Sequence, residues 1–212
     1  MPSERELMAA LQVGRPAVRE ALQRLERMGM ISISHGERAR VAVLTPDVLL
    51  EQIGNSVRHL LGTSPQSVAH LKEARLMFES AMVRLAVVKA SDDDLQMLRR
   101  AFSRMRNAKH ADPEFVAADL AFHETIASIS GNPLFGALSK ALLVWLSSVS
   151  FEDVSVSGGE NLAVAEHEQI LKCIEARDEA GAVKAMANHL ERTNQFYSAV
   201  AHPNITKGVS SP

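Results

Sequence analysis

Apolar positions in the first 44 residues follow two different rhythms. Leu7, Met8 and Leu11 lie three and four apart and give one short segment an apolar side. Ser3 followed by Glu6 has the form of a capping box, with Pro2 ahead of it, so this helix is expected to start near Glu4. Gln12-Val13-Gly14 breaks it. A second helix is predicted from about Arg15 to Met28, with Val18, Ala21, Leu22 and Leu25 on one face and Pro16 tolerated in its first turn. Gly29 is its expected stop. The rhythm then changes to period two in Met30-Ile31-Ser32-Ile33-Ser34 and in Arg38-Ala39-Arg40-Val41-Ala42-Val43. These flank His35-Gly36-Glu37, which is a hairpin signal. Helix, short turn, helix, hairpin is the plan of a winged helix-turn-helix.

Thr45-Pro46-Asp47 reads as a boundary, with Thr45 capping a new helix that Pro46 opens. Beyond it the helical period predominates. The pattern predicts helices at about 46–61, 66–89, 92–108, 113–129, 133–149, 160–177 and 179–200, and no strand. Ser91 with Asp94 resembles a second capping box. Asp112-Pro113 starts one helix, and Gly131-Asn132-Pro133 stops one and restarts the next. Ser155 to Gly159 is a soft loop, and Pro203 to Pro212 has the character of a frayed tail. The expected fold is mainly α. Residues 1–44 are expected to form the winged helix-turn-helix head, 45–202 an antiparallel helical bundle, and 203–212 a flexible tail.

Composition narrows the function classes. Apolar residues make up 46% and charged residues 23% of the 212, so the chain is neither disordered nor low-complexity. Its net charge is −2, yet residues 1–44 hold seven Arg, no Lys and five Glu, so the head is basic on an acidic body. The single cysteine, Cys173, excludes an internal disulfide. The run Ala141 to Leu146 is far too short to span a bilayer. The opening residues are not those of a signal peptide, so a cytoplasmic protein is expected.

The second helix of a helix-turn-helix enters the major groove and presents its N-terminal residues to base edges. Here those are Arg15 and Arg19, four apart on one face. Arginine reads the O6 and N7 acceptors of guanine through two parallel hydrogen bonds. Arg5 lies on the preceding helix, while His35, Gly36, Arg38 and Arg40 lie at the hairpin tip, where a wing meets backbone or minor groove. Seven arginines on a solvated surface are the plainer reading of the same residues. The order of cap, turn and wing favours DNA. Arg24 and Arg27, further along the second helix, are assigned to the surface.

Pro2-Ser3-Glu4-Arg5-Glu6-Leu7, Val13-Gly14-Arg15, Val18-Arg19-Glu20-Ala21-Leu22, Leu25, Gly29 and the wing glycine together resemble the GntR family of bacterial repressors. The resemblance implies operator contacts from Arg5, Arg15 and Arg19, with His35 and Gly36 at the wing tip. This sequence departs from the family at Pro16 and Ala17, where hydroxylated residues are usual, and at Gly14, which replaces a Ser or Thr cap. Family members also carry a helix ahead of this motif, whereas Met1 lies inside it. A head lacking that helix is therefore expected to have apolar faces short of a packing partner.

Asp119 and His123 lie at i and i+4, where a carboxylate and an imidazole can share one cation. His167 and His189 fall on two later helices, and in a bundle such side chains can converge on one core site. Three imidazoles and one carboxylate suit zinc, or nickel or manganese, and leave positions open for a ligand. A lone histidine is more often a satisfied core or surface residue. Asp119-x-x-Phe122-His123, Ser130-Gly131-Asn132, His167-x-x-Ile170 with Arg177-Asp178, and Met186-x-x-His189 resemble the FCD effector domain of the FadR subfamily. All four metal-ligand positions of that domain are filled here.

Arg75 and Glu79 match the domain's first signature, and two readings stand side by side. An arginine beside a partly coordinated cation would bind a carboxylate effector. The alternative is an i,i+4 surface ion pair. Asn132 is expected to cap a helix, with effector contact as its second role. Met77, Phe78, Met82 and Trp145 are expected in the core, as is the Cys173 thiol, and His59, His70, His110 and His202 receive no role. Gly36 to Val41, Arg75 to Ser80 and Ala141 to Leu146 also resemble the sialic-acid-responsive members of the subfamily, which implies a sugar-acid effector. The sequence therefore predicts a homodimeric repressor that binds double-stranded operator DNA and responds to a small carboxylate. A metal-dependent hydrolase, and a dimerising or ligand-binding partner without DNA binding, are the alternatives.

Overall fold

The computed structural model describes residues 1–34, 38–108, 113–148 and 159–200. The chain divides into two compact units, Met1–Asn55 and Ser56–Pro212.

In the first unit, helix α1 (Glu4–Leu11) starts at the expected capping box. The Ser3 N–H donates to Glu6 Oε2 at 2.6 Å, and the Glu6 N–H donates back to Ser3 Oγ at 3.3 Å. Gln12, at φ 52°, ends the helix in the left-handed region. Helix α2 (Arg15–Arg27) follows, with Pro16 in its first turn and Gly14 supplying no side-chain cap. Gly29 takes φ 67°, in the left-handed region that favours glycine, so the stop is conformational. Strands β1 (Ile31–Ser32) and β2 (Arg40–Val41) pair antiparallel, Ile31 opposite Val41. They are shorter than the alternating pattern predicts, because Ile33 and Val43 stay exposed and find no core to face. Val18, Leu22, Ile31 and Ala39 make a small core, joined by Leu7, Met8 and Leu25. Leu11, expected on the apolar side of α1, is largely exposed. Helix α3 (Pro46–Thr63) begins where Thr45 Oγ1 accepts the Val48 N–H.

The second unit is helical throughout its described residues. It contains α4 (Pro65–Lys89), α5 (Asp92–Asn107), α6 (Pro113–Ser128), α7 (Pro133–Ser147), α8 (Gly159–Glu175) and α9 (Glu179–Val200). Ser91 and Asp94 form the second capping box and Asn132 caps α7, as their spacing predicts. The Asp112 cap, His110, the 155–159 loop apart from Gly159, and the tail lie outside the described residues. Helix α4 packs against α6, α7, α8 and α9 and forms the spine of the bundle. Met82, Val83, Leu98, Met105, Phe122, Ile126, Ile170, Ile174 and Met186 fill the core around it. Trp145 and Cys173 are buried as expected. Met77 is not: it is 70% exposed. The buried face of α4 runs through Arg75, Glu79, Met82, Val83 and Ala86, and Met77 sits outside that stripe.

Candidate functional site

Asp119 and His123 sit one turn apart on α6, His167 on α8 and His189 on α9. One ligand atom from each lies within 4.8 Å of the others. His167 Nε2 is 2.9 Å from Asp119 Oδ1 and 3.3 Å from His123 Nε2, and His123 Nε2 is 3.9 Å from the same Asp119 oxygen. The three imidazoles are buried, whereas the Asp119 side chain keeps 23% of its surface in solvent. Phe122 packs edge-on against His167, with ring centroids 5.0 Å apart.

The far side of each ring fixes its proton. His167 Nδ1 faces the Ala163 carbonyl at 2.7 Å, and a carbonyl can only accept, so Nδ1 carries the hydrogen. His123 Nδ1 donates to Glu79 Oε2 at 3.2 Å, and His189 Nδ1 donates to Glu166 Oε2 at 2.8 Å. Each ring therefore turns its Nε2 inward, toward the Asp119 carboxylate and the other rings, and Nε2 is the atom each would offer a cation. Burial, together with the neighbouring His167, pushes His189 down to about 3, which leaves its Nε2 unprotonated at neutral pH. Burial alone would raise Asp119. The hydrogen bond and charge of His167 outweigh it and hold the carboxyl well below the usual carboxylate range.

A proton on His167 would satisfy Asp119 alone, whereas a divalent cation satisfies all four donors. The donor set fits such an ion: three imidazole nitrogens and one carboxylate, each ring braced from outside.

Arg75 and Glu79 are buried, which excludes the surface ion-pair reading. Glu79 accepts from His123 through one oxygen and from Ser139 Oγ through the other at 3.2 Å. Burial opposes its ionisation, but His123, Arg75 and Ser139 together hold it below the ordinary glutamate value. Arg75, 2% exposed, stands with Nε 3.7 Å from Glu79 Oε1, too far for a hydrogen bond, and that Nε has no other partner. Asn132 spends its side-chain oxygen on the α7 cap, accepting the Leu134 N–H at 3.0 Å. Three participants have no local sequence signal. Ser139 comes from α7, while Glu166 and Arg192 pair across α8 and α9, with Arg192 Nε 2.5 Å from Glu166 Oε1.

In the first unit, Arg15 opens α2 and is exposed, as are Arg5, Arg19 and Arg38. Glu4 lies between two of these arginines, 3.1 Å from Arg15 Nε and 3.8 Å from Arg19 Nε. Arg38 lies 4.0 Å from Glu6. Arg24 makes an exposed i,i+4 pair with Glu20, in keeping with a surface role. His35 and Gly36 lie outside the described residues. Among the described residues, no helix is long and apolar enough to cross a membrane.

Residues 1–41 match the family model of bacterial regulatory proteins of the gntR family, and residues 70–192 match the FCD domain. The HTH-type transcriptional repressor NanR of Cronobacter sakazakii is 37% identical over 203 residues, covering 95% of this chain and 78% of that one. The NanR of Salmonella typhimurium is 37% identical over 202 residues, covering 94% and 76%. Among solved structures, Streptococcus agalactiae GntR aligns with a TM-score of 0.61 at 23% identity, over 92% of this chain and 88% of the other. Escherichia coli McbR/YncC aligns at 0.60 and 16% identity, over 94% and 87%. These two show the fold, a winged helix-turn-helix with a helical FCD domain. With both family models matched in order and close relatives along nearly its whole length, the chain belongs to the GntR family of bacterial transcriptional regulators, in the branch that carries an FCD domain, and is a DNA-binding regulator rather than an enzyme.

Proposed function

We propose that this regulator is a homodimeric repressor in which residues 45–202 sense a small carboxylate and residues 1–44 read an operator. The observation that carries the sensing half is the convergence of Asp119 with three imidazoles whose outer nitrogens are already committed. Asp119, His123, His167 and His189 would hold the cation, zinc being best suited to this set, with nickel or manganese as substitutes. Once bound, a divalent cation supplies positive charge and open positions for a carboxylate oxygen. Arg75 adds a buried guanidinium with an unpartnered Nε, and Glu79 orients His123 beside it. Asn132 contributes by fixing the start of α7.

Two relatives bearing the name NanR support a sialic acid or related sugar acid as the effector. Arg15 and Arg19 lie at the start of the recognition helix and would meet base edges, with Arg5, Arg38, His35 and Gly36 on backbone or minor groove. A two-fold dimer places two such helices about one helical turn apart on a palindromic site. To release or promote DNA binding, the effector must bind one arrangement of the two heads better than the other.

Calorimetric titration of sialic acid and of acetate into zinc-loaded and chelator-treated protein tests this reading. Binding is expected only with zinc present, and it should shift the protein's affinity for operator DNA. Equal binding with and without zinc would overturn the sensing mechanism.

A further inference from the structure

The three imidazoles are anchored from three different places. His167 is tied to its own helix through the Ala163 carbonyl, His123 to α4 through Glu79, and His189 to α8 through Glu166. We propose that Glu166 is a positioning residue of this centre. It fixes the ring and tautomer of His189 and, clamped by Arg192, ties α8 to α9 at the level of the ligands. The inference rests on the metal-centre reading above.

Both oxygens of Glu166 serve α9. Oε2 accepts the His189 Nδ1–H at 2.8 Å and an Arg192 Nη2 hydrogen at 2.6 Å, while Oε1 accepts the Arg192 Nε–H at 2.5 Å. The two-point fork restricts the plane of the carboxylate, and that plane in turn restricts the imidazole. Glu166 immediately precedes His167, and consecutive helical residues point about 100° apart. One short stretch of α8 thus sends a ligand inward and an orienting carboxylate sideways. His189 and Arg192, three apart on α9, share the face that receives it.

Arg192 offsets the charge of Glu166, so Glu166 acts chiefly through geometry. Glu79 differs in this respect, because Arg75 remains at 3.7 Å and makes no hydrogen bond to it. Outer partners of metal-bound histidines commonly change metal affinity by about 10–100-fold.

The test is zinc affinity of the full chain by competition with a chromophoric chelator, paired with the visible spectrum of the cobalt(II)-loaded protein. Glu166→Ala is expected to weaken zinc binding by about 10–100-fold and to alter the cobalt bands. Glu166→Gln, which keeps an acceptor oxygen at the same reach, should restore most of that affinity. Should Glu166→Ala not fold, Arg192→Met carries the test, with an expected loss of several-fold and a changed cobalt spectrum. A merely structural role would lower the melting temperature of the metal-free protein and leave the cobalt bands of the loaded protein alone; that result overturns the proposal. So does zinc affinity within about twofold of the parent together with an unchanged spectrum. A parent chain that takes up neither zinc nor cobalt overturns the metal centre itself, which is a different outcome from a loaded parent with insensitive variants.

Discussion

In the N-terminal unit, the arginines assigned to DNA stand in solvent beside glutamates, with Arg15 and Arg19 near Glu4 and Arg38 near Glu6. In the bundle, Arg75, Glu79 and three histidines are buried, and nearly every polar atom among them has a partner. Exposed pairs of the first kind contribute about 0–1 kcal/mol and exchange readily, so phosphate or a base edge can replace the glutamate at little cost. Buried groups of the second kind hold one geometry, and removing a partner leaves a desolvated charge behind. One region is prepared to change partners and the other to keep them.

The largest expected effect would erase the buried half of that contrast. His123→Ala or His167→Ala should reduce zinc retained through gel filtration from about one ion per chain to none, read by elemental analysis. Retention of zinc at the parent level would show that the four residues do not hold it. Next, chelating the metal should destabilise the bundle. Occupancy at a hundredfold excess over Kd adds about 2.7 kcal/mol, or roughly 5–10 °C in melting temperature for a chain of this size. A calorimetric scan unchanged by chelator would mean the cluster is held together by protons alone.

On the exposed side, Arg15→Ala and Arg19→Ala should each cost about 1–3 kcal/mol of discrimination between operator and scrambled DNA while moving stability by less than about 0.5 kcal/mol. Arg24→Ala, on the Glu20 pair, should change neither. A loss of stability equal to the loss of binding would place these arginines in the fold rather than at the DNA. The smallest effect concerns the cap of α1. Ser3→Ala should destabilise the head by about 1 kcal/mol. Hydrogen bonds from Ser3 hold the Glu6 carboxyl below its ordinary value, so its contribution is complete above about pH 4.5 and is lost as the pH falls through the lowered value. Hydrogen exchange of the first helix between pH 6 and 3 would read it.

The helices were legible because their ends are written locally: Ser3 with Glu6, Ser91 with Asp94, and Asn132 before Pro133 each mark a start within three residues. Of the converging cluster, Asp119 and His123 were legible because they share a helix face, whereas His167 and His189, on two other helices, could be added only through the resemblance to the FCD domain. Burial of Arg75 and Glu79 was not, since an i,i+4 pair reads the same on a wet face as in a core. Met77 was misplaced because α4 is apolar on more than one side, which blurs its inner stripe. Glu166 and Arg192 lie 26 residues apart on neighbouring helices, and no periodicity within either helix announces that they meet.

Of the four residues around the proposed ion, only Asp119 touches water appreciably, while the three imidazoles are buried. An ion bound there would meet solvent first at that carboxylate. On this reading the rate at which an ion enters or leaves would be set at that position on α6, and the tightness with which it is kept would be set by the imidazoles. Asp119→Asn should accordingly hasten exchange of bound zinc far more than a change at Glu166 does, a separation that stopped-flow chelation would resolve.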